Sequence, residues 1–516
     1  MNGAESLVNT LVDEGVDICF ANPGTSEMHF LAALENPRMR SVLCLYEGVA
    51  TGAADGWYRM RRAPAATLLH LGPGLANGLS NIHNAKRAGS GMVNIIGEHA
   101  TAHLKYDAPL ASDIEGLARP LSHWVRRTIS SNTLAGDAVA AVEQASARPG
   151  KIATLILPGD TSWGEVTVPS GSFARSGVPA AGVPDAAAVE RIAAVLRSGE
   201  PTFIILAGAA CFGPALDWAG KVAAKTGTRI GTQFFTSRIE RGAGRVPLER
   251  LPYAVPQAVE FLKAFKHIIT VETGEPVAFF SYPGKPSLLK QPDCQVHRLA
   301  AADEDSTSAL EMLADAVGAR TLDPFRQPFI DKGAPSGALN PLSIAHALAS
   351  AMPENAILVD ESLTTGRETM GHTAGAVPHD TIQNMGGSIG YGTPVATGVA
   401  VACPDRRVVC IVGDGSAMYT IQSLWTQARE GLNVTTVIFA NRSYQILKAE
   451  YANMGFGAPG PQALAMIDID KPAIDWLAMG KSMGVPAVSV GTAEAFFHEL
   501  GRCNAAPGPS LIEVRL

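Results

Sequence analysis

The chain reads as an α/β protein of three domains, with parallel sheets flanked by helices. Three observations predict this. Short apolar, β-branched runs alternate with helix-length segments, the pattern of parallel sheets covered on both faces. Two loose segments, 167–183 and 321–342, rich in Gly, Pro and small or polar residues, interrupt the rhythm as linkers do. A length of 516 residues suits about three domains at roughly 100–200 residues each. The expected blocks are 1–166, 184–320 and 341–516. The outer two share a plan of helix, strand, Gly-rich turn and helix.

Element by element, strands are expected at 67–71, 92–96, 152–157, 203–207, 267–271, 356–359, 408–412 and 434–440. Helical patterns such as 185–196 and 420–430 lie between them. Apolar residues make up 47% of the chain and charged residues 17%, below the roughly 25% typical of soluble domains. That balance implies large, well-buried domains and oligomerisation. The net charge of −7 is spread without a basic stripe, which argues against nucleic acid or an anionic membrane as main partner. No apolar run is long enough to span a bilayer. The N-terminus lacks the basic and apolar regions of a secretion signal. The 7 cysteines are scattered, with no CxxC pair. They read as reduced, buried thiols in a cytoplasm, not as a disulfide framework or a zinc site.

The most informative stretch is 408–447. A buried strand ends in Gly413-Asp414-Gly415-Ser416, a helix follows, and a second strand ends in Asn441-Arg442-Ser443. A right-handed crossover puts both strand tips on one rim of one sheet, and ligands of open α/β sheets bind at that rim. A carboxylate and an amide oxygen there suit a hard cation. Mg²⁺ takes few protein oxygens and completes its octahedron with phosphate and water. Gly413 and Gly415 allow close approach. Gly415, Ser416 and the helix start offer N–H groups to a diphosphate. An ordinary βα turn with a capping Asp is the plain alternative. A dinucleotide site is disfavoured because no GxGxxG opens the helix.

At these residues the chain resembles the thiamine-diphosphate enzyme superfamily, whose signature is GDG followed some way on by Asn. The resemblance implies that Asp414 and Asn441 ligate Mg²⁺, with the Ser443 carbonyl as a third protein ligand. It assigns Tyr444 to the cofactor-binding set. It also implies a glutamate early in the chain, here Glu47, which activates the cofactor by hydrogen bonding its aminopyrimidine. The thiazolium carbon then serves as nucleophile and electron sink. Positioned acid–base help of this kind is worth about 10²–10⁴-fold. The segment 384–390 matches the region that holds the cofactor bent, with Ile389 as wedge and the Gly387 carbonyl as acceptor. Thr364 would bond the diphosphate. The glutamate and the metal motif come from different subunits in that superfamily, so a homo-oligomer is implied, a dimer or a tetramer, with the active site between chains.

Within the superfamily the resemblance is closest to benzoylformate decarboxylases, carried by Asn22-Pro-Gly-Thr-Ser-Glu27, Glu47, Leu69-His70 and 413–425. It implies that Thr25 or Ser26 binds the substrate carboxylate and that His70 moves protons. Two departures stand out. Ser281 or its neighbour takes the place of a second histidine, and a hydroxyl does not titrate near pH 7 as an imidazole does. Glu450 stands where an aromatic lines the pocket. It either reaches a substrate or is a surface acid. The segment 71–78 looks more like acetolactate synthases, which often bind FAD. Here FAD is not expected, because the middle block offers only the weak turn 206–213. The reading is a lyase that decarboxylates a 2-oxo acid to an aldehyde, with carboligation as a further outcome. Its rivals are an acetolactate-synthase-like carboligase, a non-catalytic cofactor-binding protein and a dehydrogenase.

Overall fold

The computed structural model describes residues 1–168, 177–178 and 180–516. Positions 169–176 and 179, within the expected linker 167–183, lie outside the described residues. Among the described residues are three sheets, of 6, 5 and 7 strands. The first runs Arg40–Leu43, Ile18–Ala21, Ala65–Leu69, Met92–Glu98, Ile152–Pro158, Trp124–Arg127, all parallel. The second runs Glu249–Arg250, Arg229–Thr232, Thr202–Leu206, His267–Val271, Gln295–Ala300, also parallel. The third runs Ala487–Val490, Ser510–Arg515, Val434–Ala440, Val408–Gly413, Ile357–Glu361, His379–Gln383 and Ile239–Arg241. Its last strand is antiparallel and comes from the middle of the chain. The expected fold class holds.

The central strands are continuously buried, for example Met92–Glu98 and Val434–Ala440. Helices cover both faces of such strands, which is why they read as unbroken apolar runs. Two expected elements shift. The run 67–71 ends at Leu69, because His70 is the N-cap of the helix Leu71–Ala88. Pro73 in its first turn suits a helix start, where its missing N–H costs nothing. The expected helix 420–430 is shorter, Ser423–Arg429, and a separate turn Asp414–Ala417 precedes it.

The first and third sheets meet through two helices of small residues, Glu47–Arg61 and Gly392–Ala402. A Cβ at Gly398 would lie 1.8 Å from the Ala53 carbonyl oxygen, so only glycine lets the backbones approach this closely. A buried ion pair reinforces the contact. Arg59 is held by Asp55 at 2.8 Å and donates to the Gln383 carbonyl at 2.6 Å and to the Tyr391 hydroxyl at 2.9 Å. This contact carries the first block's helix directly to the 383–391 segment of the third.

Candidate active site

The expected site residues fall into two clusters, one on each outer block. In the first, the turn Thr25–Glu27 and the end of the strand Ala65–Leu69 face each other. Glu27 is 3% exposed and takes His70 Nδ1 at 2.9 Å. Ser26 Oγ bonds Glu27 and lies 3.4 Å from the same ring nitrogen. The backbone at 24 is pressed against the imidazole: a Cβ there would sit 1.9 Å from His70 Nδ1. A buried carboxylate on Nδ1 fixes the ring and leaves Nε2 as the free position. Thr25 is exposed and its hydroxyl has no protein partner among the described residues.

Glu47 opens the helix Glu47–Arg61 and is 6% exposed. Asn77 Nδ2 donates to its Oε2 at 3.0 Å. Gly74 separates it from His70, since a Cβ at 74 would be 2.9 Å from Glu47 Oε1 and 3.2 Å from His70 Cβ. Glu47 and the Ser26–Glu27–His70 group therefore lie to either side of Gly74. Glu27 and Asn77 carry no role in the sequence reading. The spacing from Gly24 to Glu27 was a usable signal: the carboxylate accepts the Gly24 N–H at 2.9 Å, as a helix-start acid does.

The second cluster lies at the C-terminal ends of neighbouring parallel strands, Val408–Gly413 and Val434–Ala440, with Gly413 opposite Phe439. Asp414 is buried. It accepts Gly415 N–H at 2.9 Å on one oxygen and Arg442 N–H at 2.6 Å on the other. The Gly415 N–H, expected to face a diphosphate, is thus turned onto Asp414. Asn441 Oδ1 accepts the Ser443 N–H at 3.0 Å, and Ser443 Oγ bonds Asp468 at 2.9 Å. Burial pushes the Asp414 carboxyl above its ordinary pKa, against the pull of the backbone N–H groups. A buried carboxylate with only backbone donors and no ion-pair partner among the described residues is a suitable oxygen ligand for a divalent cation. Ser416 is buried beside it. The Tyr444 ring covers Gly415, 2.5 Å from where a Cβ would stand. The space beside Gly413 is open. Thr364 follows the strand Ile357–Glu361, half-buried, with its hydroxyl free of protein partners among the described residues.

The 384–391 segment is gripped by the first block. Asn84 exchanges hydrogen bonds with Ser388, at 2.9 Å and 3.2 Å. His83 Nε2 lies 3.0 Å from the Gly386 oxygen, and Asn81 donates to the Gly390 oxygen at 3.1 Å. Ile389 is half-buried between these anchors. Gly387 has φ +78°, a conformation that favours glycine. Behind the segment, Glu361 is fully enclosed and accepts Tyr391 N–H at 3.1 Å and Gly392 N–H at 2.6 Å. Burial raises its pKa to about 7, with the backbone N–H groups opposing. Sequence reasoning gave Glu361 no role, because nothing in the chain marks which acid will be buried.

Residues 1–118 match the thiamine pyrophosphate enzyme, N-terminal TPP binding domain. Residues 368–514 match the C-terminal TPP binding domain. A putative acetolactate synthase large subunit of Mycobacterium tuberculosis is 50% identical over 100% of this chain and 99% of its own length. The chain belongs to the thiamine pyrophosphate enzyme family. A benzoylformate decarboxylase of Pseudomonas aeruginosa is 27% identical over 97% of the chain and 96% of that protein. Among solved structures, a Rhodococcus jostii thiamine diphosphate-dependent 4-hydroxybenzoylformate decarboxylase superposes with a TM-score of 0.88 at 24% identity, covering 100% of this chain and 99% of that one. That likeness supports the three-domain α/β fold.

As a member of the thiamine pyrophosphate enzyme family, the chain has two cofactor-binding blocks, and the two clusters lie one on each. Among the described residues no hydrogen bond joins Glu47 to Asp414 or Asn441. Ser281 is exposed, while its neighbour Tyr282 is buried and donates to Glu450 Oε2 at 2.9 Å. Glu450 is therefore half-buried and held by the middle block. No helix among the described residues is long and apolar enough to cross a membrane.

Proposed function

We propose that this chain catalyses non-oxidative decarboxylation of a 2-oxo acid to an aldehyde. The observation that carries the reading is the Glu27–His70 pair beside Glu47, which sets a fixed proton-moving imidazole next to a cofactor-activating acid. Thiamine diphosphate, when bound, supplies the nucleophilic carbon that accepts electrons as CO₂ leaves. Asp414, Asn441 and the Ser443 carbonyl would hold Mg²⁺, and Thr364, Ser416 and the backbone at Gly413 and Gly415 would receive the diphosphate. Gly415 serves by allowing close approach, since its N–H is taken by Asp414. Gly387, Ile389 and Tyr444 fix the ring system. Glu47 faces the aminopyrimidine as its hydrogen-bond partner, its carboxyl steadied by Asn77. Thr25 or Ser26 positions the substrate carboxylate. His70 Nε2 delivers a proton to the product carbon, with Nδ1 held by Glu27.

The two clusters combine across a subunit boundary, so the working unit is a homodimer or a dimer of dimers. The blocks 1–166, 184–320 and 341–516 are its domains, and the cytoplasm is its compartment.

The 50% identical relative favours a second reading, an acetolactate-synthase-like carboligase. Supplying pyruvate to enzyme loaded with thiamine diphosphate and Mg²⁺ separates the two. Acetaldehyde with CO₂ supports the decarboxylase, and acetolactate supports the ligase. A screen of 2-oxo acids, following CO₂ and product mass, then finds the substrate. If no 2-oxo acid releases CO₂, both readings fall.

A further inference from the structure

The middle block sends one loop over the third block's site, and that loop is aromatic. Phe279 and Phe280 stack edge to face at 4.8 Å and are 45% and 50% exposed. Phe279 also meets Tyr253 at 6.0 Å and Phe235 at 5.8 Å. Its ring tip lies against Gly387, 2.9 Å from where a Cβ would stand. Two residues after Phe280, Tyr282 crosses to the helix Gln445–Asn453 and donates to Glu450. The loop thus runs from the cofactor-bending segment to the helix after the metal motif. It touches both, through Phe279 at Gly387 and through Tyr282 at Glu450.

Two properties of this junction are unusual for a core. Its phenylalanines keep about half their surface open, which marks a surface awaiting a partner. Its one acid has no cation: no ion pair involves Glu450 among the described residues. Oε2 is taken by Tyr282, and Oε1 has only a long 3.4 Å contact from Asn453. Both the Tyr253 and the Tyr282 phenols are raised in pKa, chiefly by burial. They stay protonated, so Tyr282 remains a donor to Glu450. Glu450 is left with one oxygen able to accept.

We propose that Glu450, clasped by Tyr282 and flanked by Phe279, Phe280, Tyr253 and Phe235, recognises the distal hydrogen-bond donor of an aryl 2-oxo acid. The inference rests on the 2-oxo acid reading above and names its substrate class. The ring lies on the aromatic side chains, and the donor at its far end reaches Glu450 Oε1. A hydroxyl and an ammonium both satisfy that oxygen. A methyl leaves it unpaired, and a carboxylate is repelled. Sites built around a polar partner reject analogues that lack it far more strongly than apolar pockets reject size changes.

The test uses holoenzyme and four para-substituted benzoylphosphonates, which mimic the 2-oxo acid without losing CO₂. The substituents are methyl, hydroxyl, aminomethyl and carboxyl, and the readout is Kd by titration calorimetry. Wild type should bind the hydroxyl and aminomethyl compounds at least about tenfold more tightly than methyl, with carboxyl weakest. Glu450→Leu should abolish that order. Glu450→Gln should keep the hydroxyl preference and lose the aminomethyl one, and Tyr282→Phe should weaken both. The same ranking in wild type and Glu450→Leu overturns the proposal, as does tightest binding of the carboxyl compound or no binding of any. Absence of CO₂ release from the parent 2-oxo acids sinks the decarboxylase reading instead, and leaves the binding order readable.

Discussion

The two polar clusters hold their acids in opposite ways. In the first block, carboxylates have side-chain partners: Glu27 has His70 beside the Gly24 N–H, and Glu47 has Asn77. In the third, Asp414 is tied only to backbone N–H groups of its own turn and of the neighbouring strand tip. Side-chain partners let a proton be passed or a ring be steered. Backbone partners cannot move or titrate, so they fix a negative charge in place. The difference separates a region suited to moving protons from one suited to holding a cation.

The largest expected effect tests the second half of that comparison. Asp414→Ala should abolish Mg²⁺-dependent retention of thiamine diphosphate, read as cofactor content after gel filtration. Unchanged content would erase the distinction. Glu47→Ala should retain the cofactor yet lose more than about 100-fold in turnover, following the usual worth of positioned acid–base groups. Near-normal turnover would remove it from the proton-moving set. Glu27→Gln should cost less, about tenfold, because His70 stays in place but loses the charge on Nδ1. The check is a changed pH–rate profile with an unchanged cofactor content. A smaller effect sharpens the comparison from behind. Glu361 ionises near pH 7 in the fold and near its ordinary 4.5 when unfolded. Its ionisation therefore opposes folding. That cost is absent below about pH 4.5, grows as pH rises and is complete above about pH 7. Glu361→Gln should flatten the stability–pH slope across that window, measured as urea midpoints.

Most of this was legible because it is local. Asp414 and Asn441 each follow a buried apolar run, so strand ends and rim could be read from the run lengths alone. The fold class followed from the same rhythm. What escaped depends on distant chain segments meeting. Nothing near Tyr282 says that it will reach Glu450, 168 positions on. The grip of Asn81, His83 and Asn84 on 384–391 is equally invisible, since polar residues on a helix read as a solvated face. The strand at 67–71 overran because Leu71 is apolar and the helix begins without a Ser, Thr or Asp cap.

The strand Ile239–Arg241 is short, yet it closes the edge of a sheet whose other members begin more than a hundred residues later. Expressed alone, the C-terminal segment would leave His379–Gln383 with a bare row of amides, an invitation to pair with any neighbouring chain. Splitting this protein at its apparent linker should therefore yield aggregates, and any fragment meant to isolate the C-terminal TPP binding domain would have to carry that borrowed strand with it.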